Sequence, residues 1–329
     1  MSSPRKLLIT IVPFSILVCY ITIRFLNLSL KRKENVFPSM HTEILISVTE
    51  SVKVMDQTVL TSEMYEKGFH IIQDDVCSNF GNGLNLLVII MTKLHHKSKR
   101  MGIRKTWGHY ALINDIAIAF LFGGGKSDGI KTELNMYSDM IIEKNVDSEF
   151  NRSLKSISMM EFVSTHCPDV KYVLKTKDDV FINMPSLLKV IEKLNNNVSA
   201  LYGHIHHHKR TNRINKSKHY ISYNQYNDSV LPDYLSSETY LFPGHIAKRI
   251  YDESLNQIYI PAEDIFLTGI VPQKLEIKRI GKSEFITQHH ISEYKTHTST
   301  VNFKTKTPAM QYTYWEEINI PNDVRNDEE

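Results

Sequence analysis

Lys171-Tyr-Val-Leu-Lys-Thr-Lys-Asp-Asp-Val-Phe-Ile-Asn183 is the stretch from which the rest of the chain can be placed. Tyr172, Val173 and Leu174 form a short β-favouring apolar run, which predicts a buried strand. The run ends at Thr176. Two carboxylates, Asp178 and Asp179, follow before Val180, Phe181 and Ile182 resume the apolar pattern. Carboxylates at the exit of a buried strand suit chemistry, because α/β sheets bind ligands beyond the carboxyl ends of their strands. Hard divalent cations such as Mg²⁺ or Mn²⁺ take carboxylate oxygens and share their sites with substrate phosphates. A solvated Asp-Asp turn is the alternative that this stretch alone leaves open.

Working outward, strand and helix patterns alternate. Residues 84–91 (Leu-Asn-Leu-Leu-Val-Ile-Ile-Met) predict a first strand, and residues 98–108 a basic helix that stops at Gly108. Residues 115–123 predict a second strand, ending in Gly123-Gly124-Gly125, and residues 139–143 a short third one. The glycine run fits neither a dinucleotide fingerprint nor a Walker loop. Residues 152–166 read as a helix. Residues 184–195 return as another, with Leu187, Leu188, Ile191 and Leu194 on one face. Such alternation predicts an α/β sheet, mostly parallel.

Residues 201–230 are polar and irregular. His204, His206, His207 and His208 invite comparison with a metal site, but their alternation and the following Lys209-Arg210 favour a solvated strand end. Residues 238–243 predict a strand backed by a helix over 244–255. Pro261-Ala-Glu-Asp-Ile-Phe-Leu-Thr-Gly269 carries the second acidic signal. Glu263 and Asp264 sit at the start of an expected helix over 262–271, where the dipole favours negative charge. A capping role is the alternative to a chemical one.

The chain has 329 residues, room for one large domain with appendages, and its formal charge of +3 is too small to point to nucleic acid. Residues 7–23 carry no charge, with Arg5 and Lys6 before them and Arg24 after. A run of that length can cross a bilayer as a helix. No Ala-x-Ala-like cleavage site precedes Arg24, which favours an uncleaved anchor over a signal peptide. Arg24, Lys31, Arg32 and Lys33 lie on the far side, so basic flanks do not settle the orientation. A cytosolic N-terminus is the expectation because the remainder looks luminal. Asn151, Asn197, Asn215 and Asn227 each open an N-glycosylation triplet, as does Asn27 close to the expected membrane. Residues 1–6 are then a cytoplasmic tail, 7–23 the anchor, 24–76 a partly disordered stem and 77–329 the luminal domain.

The acidic stretch resembles the motif Lys-Thr-Asp-Asp-Asp-Val-Phe-Val-Asn of the β-1,3-glycosyltransferase family (glycosyltransferase family 31-like galactosyl- and N-acetylglucosaminyltransferases). Lys175, Thr176, Asp178, Asp179, Val180, Phe181 and Asn183 match, while Lys177 stands where that family has its first aspartate. Arg104-Lys-Thr-Trp-Gly108 resembles its Arg-x-Thr-Trp-Gly, with Trp107 expected in the packing. Lys218-His-Tyr-Ile-Ser222 is similar to Lys-Trp-Tyr-Val-Ser. Leu231-Pro-Asp-Tyr-Leu-Ser-Ser237 resembles Tyr-Pro-x-Tyr-Cys-Ser-Gly, with Leu235 for the cysteine and Ser237 for the glycine. Glu263-Asp264 resembles Glu-Asp-Val-Tyr/Phe. Gln288-His-His-Ile-Ser292 and Tyr312-Thr-Tyr-Trp315 resemble the family's C-terminal histidine and aromatic elements. Cys77 and Cys167 lie near family cysteines, and a bridge between them is compatible with an oxidising lumen.

The resemblance spans roughly residues 75–318. It implies a type II Golgi membrane protein with a GT-A-like, doubly wound domain that binds a UDP-sugar with Mn²⁺ or Mg²⁺ and inverts at the anomeric carbon. Carried over residue by residue, it makes Asp264 the base, with Glu263 to orient it or to hydrogen-bond the acceptor. Arg104, Asp178 and Asp179 then contact the donor, Tyr234 and Ser236 the substrate. Asp179 and His290, or its neighbour His289, hold the metal. Galactose is the favoured sugar, placed in β-1,3 linkage on a glycoprotein or glycolipid glycan. N-acetylglucosamine and N-acetylgalactosamine donors stay open. So do an inactive luminal binding partner, which Lys177 keeps in view, and an unrelated metal-dependent enzyme or sugar-binding protein.

Overall fold

The computed structural model describes residues 58–112, 115–125, 128–217, 219–286 and 300–319. The expected anchor over 7–23 lies outside them, as does His290. No helix among the described residues is long and apolar enough to cross a membrane.

Among the described residues a central sheet takes eight strands in the order β1-β4-β3-β2-β5-β8-β7-β9. These are β1 (Phe69–Ile72), β2 (Leu86–Thr92), β3 (Ile116–Gly124), β4 (Met140–Val146) and β5 (Tyr172–Lys177). After a short β6 (Val180–Ile182) come β7 (Ala200–His206), β8 (Tyr234–Pro243) and β9 (Lys278–Gly281). β10 (Asn302–Lys304) pairs antiparallel with β6 in a separate ribbon. The expectation of a mostly parallel sheet needs correcting to a mixed one. β4, β3, β2 and β5 run parallel, but β1–β4, β5–β8 and β7–β8 are antiparallel.

The central strands are continuous apolar runs because both of their faces are covered. In β2, Leu87 and Ile89 enter one core layer, packed with helix Arg152–His166. Leu86, Val88 and Ile90 enter the other, with Trp107 and Phe181. Burial of such side chains contributes about 1.5–3 kcal/mol each, which makes β2 the stabilising centre of the domain. Trp107 is fully buried and its Nε1–H donates to Gln311 Oε1 at 3.0 Å, as a packing residue should.

The glycines after β3 serve close packing: a Cβ on Gly123 would lie 2.5 Å from Asp147 Cβ. Residues 58–76, expected in the stem, instead fold onto the domain. Tyr65 enters the core, and β1 completes the sheet edge beside β4. Their lack of sustained periodicity hid a short helix, Thr61–Met64, and a four-residue edge strand. β7 falls likewise within a stretch read as irregular. A disulfide joins Cys77 to Cys167, with 5.8 Å between their Cα atoms.

Chain order places the site. β2, β3 and β4 step outward in one direction, and the helix Arg152–His166 then returns the chain to β5 on the other side of β2. Strand order therefore reverses between β2 and β5, and such a switch point opens a crevice at the carboxyl ends of the two strands. Met91 pairs with Lys177 there, so Thr92 and Asp178 leave the sheet side by side.

Candidate functional site

Asp178 and Asp179 emerge together from β5 but have different surroundings. Asp178 is buried. Its Oδ2 accepts from Thr92 Oγ1 at 2.7 Å and lies 2.6 Å from His96 Nδ1, while Lys99 Nζ donates to Oδ1 at 3.2 Å. Through these partners Asp178 ties the exit of β2 to that of β5. Asp179 accepts from Lys304 Nζ at 2.8 Å through Oδ2. Its Oδ1 is buried and has no hydrogen-bond partner among the described residues. Burial would raise the Asp179 pKa, but Lys304, with Lys99 and Lys177, holds it below the ordinary carboxylate value.

Lys304 also reaches Glu238 on β8 at 3.4 Å, so the β10 ribbon closes one side of the crevice. The backbone fixes it there, since the Thr305 N–H donates to the Asp179 carbonyl at 2.8 Å.

Arg104 is paired within the fold. Its Nε and Nη2 donate to Asp139 at 2.7 and 2.8 Å, and Nη1 donates to Glu133 at 2.7 Å. Its guanidinium lies over the Tyr137 ring, 3.9 Å from the centroid. A fork so engaged has little left for phosphate. Arg100, which sequence reasoning passed over, shares Glu133 and donates to the Lys93 and Leu94 carbonyls. The pair of arginines thus braces the loop that delivers His96 and Lys99 to Asp178.

Glu263 and Asp264 open a helix in three pieces. They are Glu263–Ile265, a π-turn Phe266–Ile270 and Val271–Lys274. Its extent beyond residue 271 and its π-turn were not expected from periodicity. Such turns recur at functional sites. Glu263 is buried, and its Oε1 lies 2.6 Å from the Nζ of Lys175, itself fully buried. Burial lowers the Lys175 pKa to about 8, and the Glu263 charge opposes that fall. Asp264 is half-buried. Its charge reaches Tyr234, whose hydroxyl pKa burial and Asp264 together push up to about 12. It reaches His206 too, whose pKa burial lowers and Asp264 raises in part. The His206 and Tyr234 rings lie 4.9 Å apart.

The other expected residues fall as follows. Ser236 is buried on β8, and its Oγ accepts from the Glu238 N–H at 3.4 Å. Ser237, in place of a glycine, is used by the lysines: its carbonyl accepts from Lys175, and its Oγ from Lys177 at 3.1 Å. Of the histidine run, His206 ends β7 and His207 lies 2.8 Å from Asp233. No group of three or more His, Cys, Asp or Glu among the described residues is arranged to hold a metal. A cation that shares its shell with substrate phosphates needs only one or two protein carboxylates. The open Oδ1 of Asp179 fits that role. Asn197, Asn215 and Asn227 are exposed. Asn151 is half-buried, its Nδ2 donating to the Val146 carbonyl at 2.8 Å.

Lys175, Lys304 and Glu238 thus join Asp179 to the Glu263–Asp264 turn around the exit of β5. A lysine directly after the apolar run Tyr172-Val-Leu174 was the available signal, since a buried ammonium needs a carboxylate.

Comparison with known proteins gives concordant results. A family model described as galactosyltransferase matches residues 98–283. The human lactosylceramide 1,3-N-acetyl-beta-D-glucosaminyltransferase is 31% identical over 211 residues, 57% of this chain and 55% of that protein. Human beta-1,3-galactosyltransferase 1 is 32% identical over 208 residues, 60% of this chain and 63% of that one. The mouse N-acetyllactosaminide beta-1,3-N-acetylglucosaminyltransferase 2 is 27% identical over 253 residues, 72% and 63% respectively. The match therefore spans between 55% and 63% of the length of these relatives. A galactosyltransferase solved with donor and acceptor sugar analogues superposes at a TM-score of 0.41 with 11% identity, over 73% of this chain and 99% of that one. That likeness is too loose to bear on ligands.

Proposed function

The chain belongs to the galactosyltransferase family, and from that premise we propose that it transfers a hexose, galactose first, from a UDP-sugar to the 3-hydroxyl of an acceptor glycan. The product is a β-1,3 linkage on a glycoprotein or glycolipid, and the domain works in a GT-A-like manner. The observation that carries the reading is the pair of carboxylates at the ends of two elements that both pack on β8, the strand β5 and the helix that opens at Glu263. Asp179 keeps a buried oxygen open on the β5 side, and Asp264 stands half-buried on the facing helix.

The reaction divides between them. The acceptor oxygen attacks the anomeric carbon as the bond to the diphosphate breaks, and the electron pair leaves with UDP. Asp264 takes the hydroxyl proton, as a general base must. Attack opposite the leaving group turns an α-linked donor into a β-linked product. Asp179 would hold a Mn²⁺ or Mg²⁺ ion, which when bound neutralises charge on the departing diphosphate. The ammonium of Lys177 lies near enough to lower the Asp179 pKa and adds positive charge at the same place. Tyr234 and His206 present rings on the Asp264 side, where an acceptor sugar can stack.

An N-acetylglucosamine donor is the second reading, favoured by the similarity to the human lactosylceramide enzyme. The setting we propose is the Golgi membrane, with residues 7–23 as a type II anchor. The exposed Asn197, Asn215 and Asn227 and the Cys77–Cys167 disulfide support a luminal domain. The test is UDP release by the full chain in detergent, with UDP-galactose, UDP-N-acetylglucosamine and UDP-N-acetylgalactosamine, with Mn²⁺ and with EDTA. Turnover of one donor that Asp179→Ala abolishes is expected. A chain that binds no UDP under any of these conditions would refute the reading.

A further inference from the structure

Lys175 is fully buried beside the Glu263–Asp264 turn, and the chemistry above does not use it. It lies in a strand whose other buried residues, Tyr172, Val173, Leu174 and Thr176, carry no charge. Its Nζ is 2.6 Å from Glu263 Oε1, donates to the Ser237 carbonyl, and sits 5.3 Å from the centroid of the Tyr240 ring. A buried ion pair is a poor way to add stability, because desolvation offsets its Coulomb energy and packed apolar residues do as well. Its use here points to geometry.

The helix it touches needs outside support at that point. Its first turn, Glu263–Ile265, has no side-chain cap at Ala262 and runs at once into the π-turn. Two contacts from the sheet hold it. Thr268 Oγ1 accepts from the Leu235 N–H at 2.8 Å and lies 2.5 Å from the Asp264 carbonyl, which fixes the turn from the far side. Lys175 fixes it from the near side through Glu263. Adjacent helix residues point about 100° apart. With Glu263 drawn inward to β5, the adjacent Asp264 is turned away from it and stays half-buried, where its charge acts on Tyr234 and His206.

We propose that Lys175 is a positioning residue: through Glu263 it sets the rotation of the first helical turn, and hence where the Asp264 carboxylate meets the acceptor hydroxyl. The inference rests on the reading of Asp264 as base. It reassigns Glu263 from acceptor contact to the arm by which the sheet holds that base.

The experiment compares Lys175→Met, Lys175→Met/Glu263→Gln and Asp264→Asn in the full chain, measuring kcat, acceptor KM, UDP affinity and thermal midpoint. A misplaced catalytic group loses roughly 10²-fold in rate. Lys175→Met should lose kcat on that order with UDP affinity near wild type. The Lys175→Met/Glu263→Gln pair, which leaves no unpaired buried charge, should recover the thermal midpoint but not kcat, and it serves equally if Lys175→Met alone fails to fold. Adding Lys175→Met to Asp264→Asn should cause little further loss, because groups that act as one unit are not additive. Recovery of kcat together with stability in the double variant would reduce Lys175 to a packing role. So would an undiminished further loss of kcat in the Asp264→Asn background. Wild-type turnover by Asp264→Asn would instead remove the base reading on which the inference stands.

Discussion

His96 Nδ1 and Asp178 Oδ2 lie 2.6 Å apart, one on the loop after β2 and the other just past the end of β5. The contact closes the switch point from below and leaves Asp179 as the carboxylate that faces it. Asp178→Ala should therefore act first on stability. Hydrogen bonds to charged groups contribute about 1.5–3 kcal/mol, and a lower urea midpoint that corresponds to a free-energy loss of about that size, with an unchanged slope, is the expected result. A variant as stable as wild type but unable to bind UDP would return Asp178 to the donor site.

Lys177 presents a different balance. Its Nζ donates to Ser237 Oγ, and none of the described carboxylates lies in ion-pair range of it. An uncompensated ammonium beside Asp179 competes with a divalent cation for the same field. Lys177→Asp exchanges that repulsion for a second carboxylate, and Mn²⁺ affinity measured with UDP present should tighten by about tenfold, or 1.4 kcal/mol. Unchanged or weaker binding would mean that the ammonium does not act on the metal position.

Away from the crevice, Glu143 gives a pH dependence of stability. Burial pushes its carboxyl up to about 7 from an ordinary value of 4.5, against the lowering effects of Ser158, Lys155 and Asn145. The folded state then binds the proton more tightly than the unfolded chain does. Its stabilising contribution is full below about pH 4.5 and is lost as pH rises through 7. The slope in that window reaches at most about 1.4 kcal/mol per pH unit from this group. Glu143→Gln should flatten the urea midpoint between these limits, and a wild-type-like slope in the variant would assign the dependence to other groups.

The parts of this architecture that periodicity could reveal were those with both faces buried. Tyr172, Val173 and Leu174, and the run through Leu86 and Ile90, are continuous because core lies on each side. The helix Arg152–His166 ran as expected, and both acidic pairs lie at the ends of the elements that carry them. What stayed hidden depends on contacts distant in sequence. Lys304 meets Asp179 only because β10 returns to β6, and Arg104 finds Asp139 and Glu133 about thirty residues further along the chain. Nor can local propensity reveal β1, whose strand exists because β4 offers an edge.

The base itself is the sharpest test. Asp264 is half-buried, beside Tyr234 and His206, and its only described side-chain hydrogen bond is the 3.0 Å contact that it accepts from the Ile265 N–H. Glu263 is buried against Lys175 and is not free to meet a substrate. A general base contributes about 10²–10⁴ in rate. Asp264→Asn keeps the shape and removes the basicity, so kcat should fall within that range while calorimetric UDP affinity stays near wild type. Glu263→Gln keeps a hydrogen-bonding group near Lys175 but leaves the ammonium without its counter-charge, so it should lower thermal stability as well as kcat. The two variants therefore separate: one loses rate alone, the other rate and stability together. If Asp264→Asn turns over normally, or loses UDP binding along with activity, the proton goes elsewhere and the carboxylate on this helix is not the base.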